Sequence, residues 1–381
     1  MKILMTVNAA WNIVNFRRSV LDGLVADGHE VTVLAPPDDS VPELASLGAR
    51  FLPLAMNVKG LNPLDDLKLL RSFKRHFRAE RPDVVLSYTI KNNVFGAMAA
   101  NACGVPFIPN VSGLGTAFLS NGTLRFIAEN LYRRAFGKLR FIFFQNGDDR
   151  ALFIQRKLVR PEQARLLPGS GIDLSRFAAS DLPPETEATT FLMIARLLRD
   201  KGVLEFVEAA RLIKARAPNT RFQLLGAAGS ENRTAIDLAT VEMWEREGIV
   251  EYLGTTPDVR PFIRSVQCVV LPSYREGAPR TLIEAAAMAR PLIATDVPGC
   301  RSVVDDEVTG FLCAARSADS LAAAMERVLQ LPQQARTAMG RAGRLKMERE
   351  FDQAIVLAAY EKAIGELTTR GSSAVELVVG G

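Results

Sequence analysis

Short runs of consecutive apolar residues alternate along this chain with longer segments in which apolar positions recur every three to four residues. The short runs are rich in Val, Ile, Leu and Phe and lack the every-second-residue polarity of a half-exposed strand, so they predict strands covered on both faces. In the first half they are KILMTVN, EVTVLAP, FLPLA, VVLSYT, FIPNVS and FIFFQN; in the second, TTFLMIAR, RFQLLGA, VEYLG, CVVLPS, PLIATD and GFLCA. Strands alternating with helical patterns indicate parallel sheets flanked by helices. Between the halves, DLPPETEATT is polar, carries a Pro pair and has no period, and it predicts a linker. The expected architecture is α/β: two Rossmann-like doubly wound domains at 1–180 and 188–350, facing across a cleft. A helix at 351–371 is placed to cross back to the first domain, and the tail GSSAVELVVGG is expected to be disordered.

A length of 381 residues suits two cores, and 48% hydrophobic with 23% charged residues suits a globular protein. The longest apolar stretches fall short of the ~20 residues that cross a bilayer. The opening MKILMTVNAAWN lacks the h-region and cleavage site of a signal peptide, so the expected compartment is the cytoplasm. Cys103, Cys268, Cys300 and Cys313 are scattered without a CxxC pair, and there is no Asp-x-Asp pair to hold a divalent ion through a sugar diphosphate. No metal and no cofactor is expected.

The formal charge of +5 is modest but clustered. LKLLRSFKRHFRAERPD carries Lys68, Arg71, Lys74, Arg75, Arg78 and Arg81 beside Leu69, Leu70, Phe73 and Phe77; TLRFIAENLYRRAFGKLRF carries Arg125, Arg133, Arg134, Lys138 and Arg140 among aromatics. Amphipathic helices with a solvated basic face explain this, as does docking on anionic lipid. No nucleic-acid-binding motif accompanies the charge.

The densest chemistry is in REGAPRTLIEAAAMARPLIATDVPGC, where Glu276 sits in a Gly/Pro-rich turn and Glu284 inside the following helix. Pro279 is expected as the first helical residue, which turns the N–H groups of Arg280, Thr281 and Leu282 outward as an anion site. Glu284 is placed to reach a ribose diol. Glu276 is placed ahead of the helix, where a carboxylate can accept sugar hydroxyls and oppose positive charge at an anomeric carbon. Upstream, TTFLMIARLLRDKG puts Arg196 at a strand end and Lys201 five residues later, two cations suited to grip a diphosphate at a sheet's carboxyl edge.

Together ARLLRDKG, SYREGAPRTLIEAAAMARPLIATDVPGC and DDEVTGFL resemble the retaining glycosyltransferase family four, whose members adopt the GT-B fold. The resemblance covers most of the chain and is most specific between residues 190 and 315. It implies a metal-independent enzyme with a nucleotide-sugar donor, UDP-linked by family habit. Arg196 and Lys201 would hold the diphosphate, Glu276 would act near the transferred sugar, and Glu284, Gly277, Arg280, Thr281 and Leu282 would bind the rest of the donor.

In the first domain YTIKNNVFGAMAANACGVPFIPNVSGLGTAF resembles the branch that extends polyprenyl-diphosphate-linked sugars for bacterial capsule, O-antigen or glycoprotein glycans. Lys91, Asn92, Ser112 and Gly113 are its candidate acceptor residues, and a location on the cytoplasmic face of the inner membrane is implied. Two departures stand out: NAAWN replaces the family's glycine pair in the first loop, and Ser112, Gly113 and Gly115 stand where many relatives place a histidine. His29, in a turn before a strand, reads as structural. The alternatives are a non-hydrolysing sugar-nucleotide epimerase and a non-catalytic nucleotide-sugar-binding subunit; a dinucleotide dehydrogenase lacks its GxGxxG.

Overall fold

The computed structural model describes residues 1–376 apart from 59, 61, 115–121, 185–187, 231 and 233. Gly115 and the last five residues of the tail therefore lie outside the described residues. The chain divides into two compact units, one of Met1–Gly171 with Gln353–Gly381 and one of Ile172–Asp352.

The first unit holds a seven-stranded sheet: β1 Lys2–Thr6, β2 Glu30–Ala35, β3 Arg50–Pro53, β4 Val84–Tyr88, β5 Phe107–Val111, β6 Ile142–Phe144 and β7 Ala164–Leu166, in the order β3-β2-β1-β4-β5-β6-β7. The second unit holds a six-stranded sheet: β8 Thr190–Ile194, β9 Arg221–Leu225, β10 Glu251–Tyr252, β11 Cys268–Leu271, β12 Leu292–Thr295 and β13 Gly310–Cys313, in the order β10-β9-β8-β11-β12-β13. All paired strands in both sheets run parallel. β4, β5 and β8 are buried at every position, as strands covered on both faces require. In each sheet the strand order reverses direction beside a central strand, between β1 and β4 and between β8 and β11, which opens a crevice at the carboxyl edge there.

Every strand expected from the apolar runs is present, and the structure adds β7. That strand is three residues long with Arg165 at its centre, too short and too polar to register as an apolar run. It pairs with β6 at the sheet edge, and Arg165 makes a two-pronged ion pair with Glu366 of the terminal helix.

The domain division falls earlier than the predicted linker. Residues 172–184 are strapped to the second unit by side chains that donate to their carbonyls: Arg344 Nη1 to Phe177 O at 2.9 Å, Arg290 Nη2 to Ser180 O at 2.9 Å and Asp181 O at 2.8 Å, and Gln333 Nε2 to Pro183 O at 3.0 Å. Satisfying these carbonyls binds the segment as an arm of that unit. The terminal helix Gln353–Glu376 packs on the first unit, burying Val356, Tyr360, Ala363 and Ile364, a stripe at helical spacing. It runs six residues into the tail expected to be disordered, as far as Glu376.

Among the described residues no helix is long and apolar enough to cross a membrane.

Candidate active site

The site is assembled in the second unit by the loops that leave β8 and β11, the adjacent strands on either side of the switch point. After β8 the chain makes a 3₁₀ turn, Arg199–Lys201, and closes it with Gly202 at φ 78°. A Cβ on Gly202 would collide with the carbonyl of Pro272, so the absence of a side chain lets this turn lie directly on the end of β11. Two bonds fasten it: Tyr274 N–H donates to Asp200 O at 2.9 Å and Ser273 Oγ to the same carbonyl at 3.2 Å. The β11 loop is seated in turn on Gly299, at φ 85°, where a Cβ would stand 2.5 Å from Glu276 O and 2.7 Å from Gly277 O. Glu276 N–H donates to Pro298 O at 3.2 Å.

This seating brings Lys201 Nζ to 2.5 Å from Glu276 Oε1. Both side chains are partly buried, 24% and 13% exposed, which weakens solvent screening of the pair. Burial first and the nearby Glu276 carboxylate second push the Cys300 thiol up, leaving it inert.

Glu284 lies on the helix Arg280–Ala287 and is buried, accepting from Arg280 Nε at 2.6 Å. Burial raises its carboxyl above the ordinary value near 4.5, and Arg280 opposes that shift. The i, i+4 spacing of Arg280 and Glu284 is that of a helical ion pair, so the two side chains meet each other, whereas the sequence assigns each a separate contact to a ligand.

Two expectations at this helix are corrected. Pro279 is the N-cap, with ψ 101°, and Arg280 is the first helical residue. Leu282 N–H donates to Pro279 O at 3.1 Å, because the extended cap residue turns its carbonyl inward to start the helix. That N–H is thus not available to an anion, whereas the Thr281 N–H has no acceptor among the described residues.

Arg196 is exposed just beyond β8 and makes no ion pair among the described residues. Of the three charged residues expected to act in transfer, the structure pairs Lys201 with Glu276, while Arg196 is ion-paired to neither Glu276 nor any other described carboxylate.

In the first unit, Lys91 and Asn92 follow β4, and Ser112 and Gly113 follow the neighbouring β5. Lys91 Nζ is 2.8 Å from Asp66 Oδ1, so its charge is already met. Asn92 is not a ligand residue: it is fully buried, its Nδ2 donating to Thr6 Oγ1 at 2.8 Å and its Oδ1 accepting from Thr89 Oγ1 at 2.9 Å. With both amide atoms engaged it ties the β4 loop to β1. Ser112 and Gly113 are half-buried at the end of β5. His29 lies in the turn before β2, 3.5 Å from the chain's amino group, in keeping with a structural role.

The basic helices also differ from expectation. On Pro63–Glu80, Leu69, Phe73 and Phe77 are core residues. Among the described residues, the large apolar side chains left exposed are Leu64 and Leu67 on that helix and Phe126 and Ile127 on Thr123–Phe136. Both helices pack against the same short helix, Ala97–Cys103. Among the described residues no group of three or more His, Cys, Asp or Glu is placed to hold a metal ion.

Comparison with known proteins agrees with this fold. Residues 13–169 match the family described as glycosyl transferase 4-like domain, and residues 176–346 match glycosyl transferases group 1. The chain is 27% identical over 346 residues, 87% of its length and 90% of the relative's, to N,N'-diacetylbacillosaminyl-diphospho-undecaprenol alpha-1,3-N-acetylgalactosaminyltransferase of Campylobacter jejuni. It is 25% identical over 295 residues, 74% of its length and 75% of the relative's, to UDP-Gal:alpha-D-GlcNAc-diphosphoundecaprenol alpha-1,3-galactosyltransferase of Escherichia coli. A solved glycosyltransferase from Rickettsia africae superposes with a TM-score of 0.77 at 17% identity, over 96% of this chain and 98% of that one, which establishes the shared fold. Neither matching family is one of epimerases. With its two parallel-sheet units in the GT-B arrangement of strands and helices, the chain belongs to the GT4-type glycosyltransferases.

Proposed function

We propose that this glycosyltransferase moves a hexosyl or N-acetylhexosaminyl group from a UDP-linked donor to a sugar carried on polyprenyl diphosphate, with retention of anomeric configuration, in bacterial surface-glycan or glycoprotein-glycan synthesis. The observation that carries the reading is the contact of Lys201 with Glu276 at the carboxyl ends of β8 and β11. A cation there meets the donor's diphosphate as the bond to the sugar breaks, and a carboxylate beside it faces the sugar. Arg196, exposed on the same edge, supplies the second cation. Thr281 N–H at the helix mouth, with Gly277, Arg280 and Leu282 around it, and the buried Glu284 complete the donor site.

In the proposed step the acceptor oxygen bonds to the anomeric carbon on the face from which the diphosphate departs. The carbon–oxygen bond to phosphate breaks, and the acceptor's proton passes to the departing phosphate. Charge on the leaving group is met by side chains, so no bound metal is required. Two relatives named for undecaprenol-diphosphate acceptors support the acceptor class. Lys91, Ser112 and Gly113, on adjoining strand ends, are the candidates for its phosphate. A carrier of that kind resides in a membrane, and the exposed Leu64, Leu67, Phe126 and Ile127 among basic residues suit docking on the cytoplasmic face of the inner membrane.

The test is a panel of nucleotide sugars, scored for nucleotide release with and without a synthetic polyprenyl-diphosphate sugar. Acceptor-dependent release of UDP from one donor is expected, with the product's anomeric configuration matching the donor's. Isomerisation of the donor without acceptor, or binding without turnover across the panel, contradicts the proposal.

A further inference from the structure

Tyr274 directly precedes Arg275 and Glu276 on the loop that leaves β11, and it is held from three directions. Its N–H donates to Asp200 O, its hydroxyl donates to Glu205 Oε1 at 2.7 Å, and the Arg316 guanidinium lies over its ring, 4.5 Å from the centroid. Glu205 stands in the first turn of the helix Val203–Lys214, directly after the Lys201–Gly202 turn. The loop bearing Glu276 and the turn bearing Lys201 are thus joined by main chain through Asp200 and by side chains through Glu205. Burial and the Glu205 carboxylate push the Tyr274 hydroxyl up to about 12, so it remains a donor across the working range.

Packing alone does not account for this arrangement. Glu205 Oε2 is buried without a hydrogen-bond partner, and an unpaired buried carboxylate oxygen withholds stability. Leucine at 205 with phenylalanine at 274 would occupy similar space without that penalty. Arg316 takes a left-handed φ of 60°, a backbone conformation uncommon for a long side chain. Backbone strain and an orphaned oxygen gathered around one tyrosine, beside the loop of a reaction site, are the marks of a functional constraint.

We propose that Glu205 and Tyr274 are positioning residues for sugar transfer: the tyrosine hydroxyl, gripped by the glutamate, fixes the β11 loop so that the Glu276 carboxylate is presented beside the Lys201 turn in one geometry at every turnover. Neither residue touches the donor. The inference rests on the reading of Lys201 and Glu276 as donor-site residues.

The experiment compares the full-length wild type with Tyr274→Phe, Glu205→Gln, the double variant Glu205→Leu/Tyr274→Phe, and Glu276→Ala. Each is measured for thermal melting, for UDP affinity by calorimetry, and for kcat and KM with the donor and acceptor selected in the panel above. Tyr274→Phe is expected to lower kcat about tenfold while the donor KM stays within about twofold, the signature of lost transition-state geometry. Glu205→Gln, whose amide oxygen still accepts the phenolic proton, keeps most of the activity. The double variant melts at or above the wild-type temperature, yet its kcat falls as far as that of Tyr274→Phe. A Tyr274→Phe enzyme with wild-type kcat overturns the proposal, as does a double variant that loses activity only by melting lower. Wild-type turnover by Glu276→Ala overturns the donor-site reading itself; an inactive Glu276→Ala beside a fully active Tyr274→Phe overturns the positioning role alone.

Discussion

Lys201 and Glu276 are 75 positions apart in sequence and 2.5 Å apart in space. A glycine without a Cβ on each side brings them together, Gly202 against Pro272 and Gly299 against Glu276. The pair explains how a lone cation and a lone carboxylate persist in a partly buried crevice before any substrate arrives: each is the other's counter-charge. A donor that brings its own diphosphate and hydroxyls replaces that partnership.

The buried Asn92 and its neighbour Lys91 should separate cleanly on mutation. Asn92→Ala removes two buried hydrogen bonds inside the first unit; Thr6 still donates to Leu34 O, but the Thr89 hydroxyl loses its acceptor, so stability should fall by about 1–3 kcal/mol. Lys91→Ala breaks a partly buried ion pair with Asp66 and, beyond whatever that costs in stability, should raise the KM for the polyprenyl-diphosphate acceptor, which Asn92→Ala should leave unchanged. Denaturant melts and acceptor titrations on the two variants decide this; an Asn92→Ala protein of unchanged stability would remove the structural role.

Glu284 gives a pH-dependent signature. Its carboxyl is raised in the folded protein, so the folded state favours the protonated form relative to the unfolded chain. Stability is therefore lost as pH rises from about the ordinary 4.5 through the raised value, and the loss is complete above it. Glu284→Gln should melt higher than wild type at pH 7, with the gain shrinking to nothing as pH falls toward 4.5. The same variant should bind UDP about tenfold more weakly, since a neutral amide is a poorer acceptor for ribose hydroxyls than a carboxylate. Melting curves across pH and calorimetry with UDP test both halves.

Much of the fold and part of the site are legible in the sequence because strands and their carboxyl ends announce themselves. CVVLPS and TTFLMIAR are apolar runs that stop where polar residues begin, and the switch-point rule places the loops after them in a crevice. The differences share a cause: a side chain's partner is set by tertiary packing. Asn92 reads as a loop residue because nothing in KNNVF shows that Thr6 of β1 lies beneath it. The predicted linker falls too late because Arg290 and Arg344, more than a hundred residues away, bind residues 177–181 to the second unit. Tyr274 and Glu205 carry no motif that marks them as a pair, and only the fold of the β11 loop over the Lys201 turn makes them one.

The exposed Phe126 and Ile127 predict a surface effect without a folding effect. Replacing both with serine should leave the melting temperature unchanged, because neither is in the core. It should reduce co-sedimentation with vesicles containing anionic lipid. Binding that depends on neither anionic lipid nor salt would rule out the basic and apolar face as a docking surface.

Transfer is predicted to continue in excess EDTA, with kcat changed by less than about twofold, because protein cations are assigned the leaving group's charge. A complete loss of turnover that Mg²⁺ or Mn²⁺ restores would assign that charge to a metal instead.

The most direct test of the central claim is single-turnover transfer by Lys201→Ala and Glu276→Ala, with circular dichroism and melting recorded on the same preparations. Removing a preorganised charge from the leaving group or the sugar should slow transfer by about 10²–10³-fold while both variants stay folded. Transfer at the wild-type rate by either folded variant would contradict the claim that the Lys201–Glu276 crevice is where the sugar changes hands.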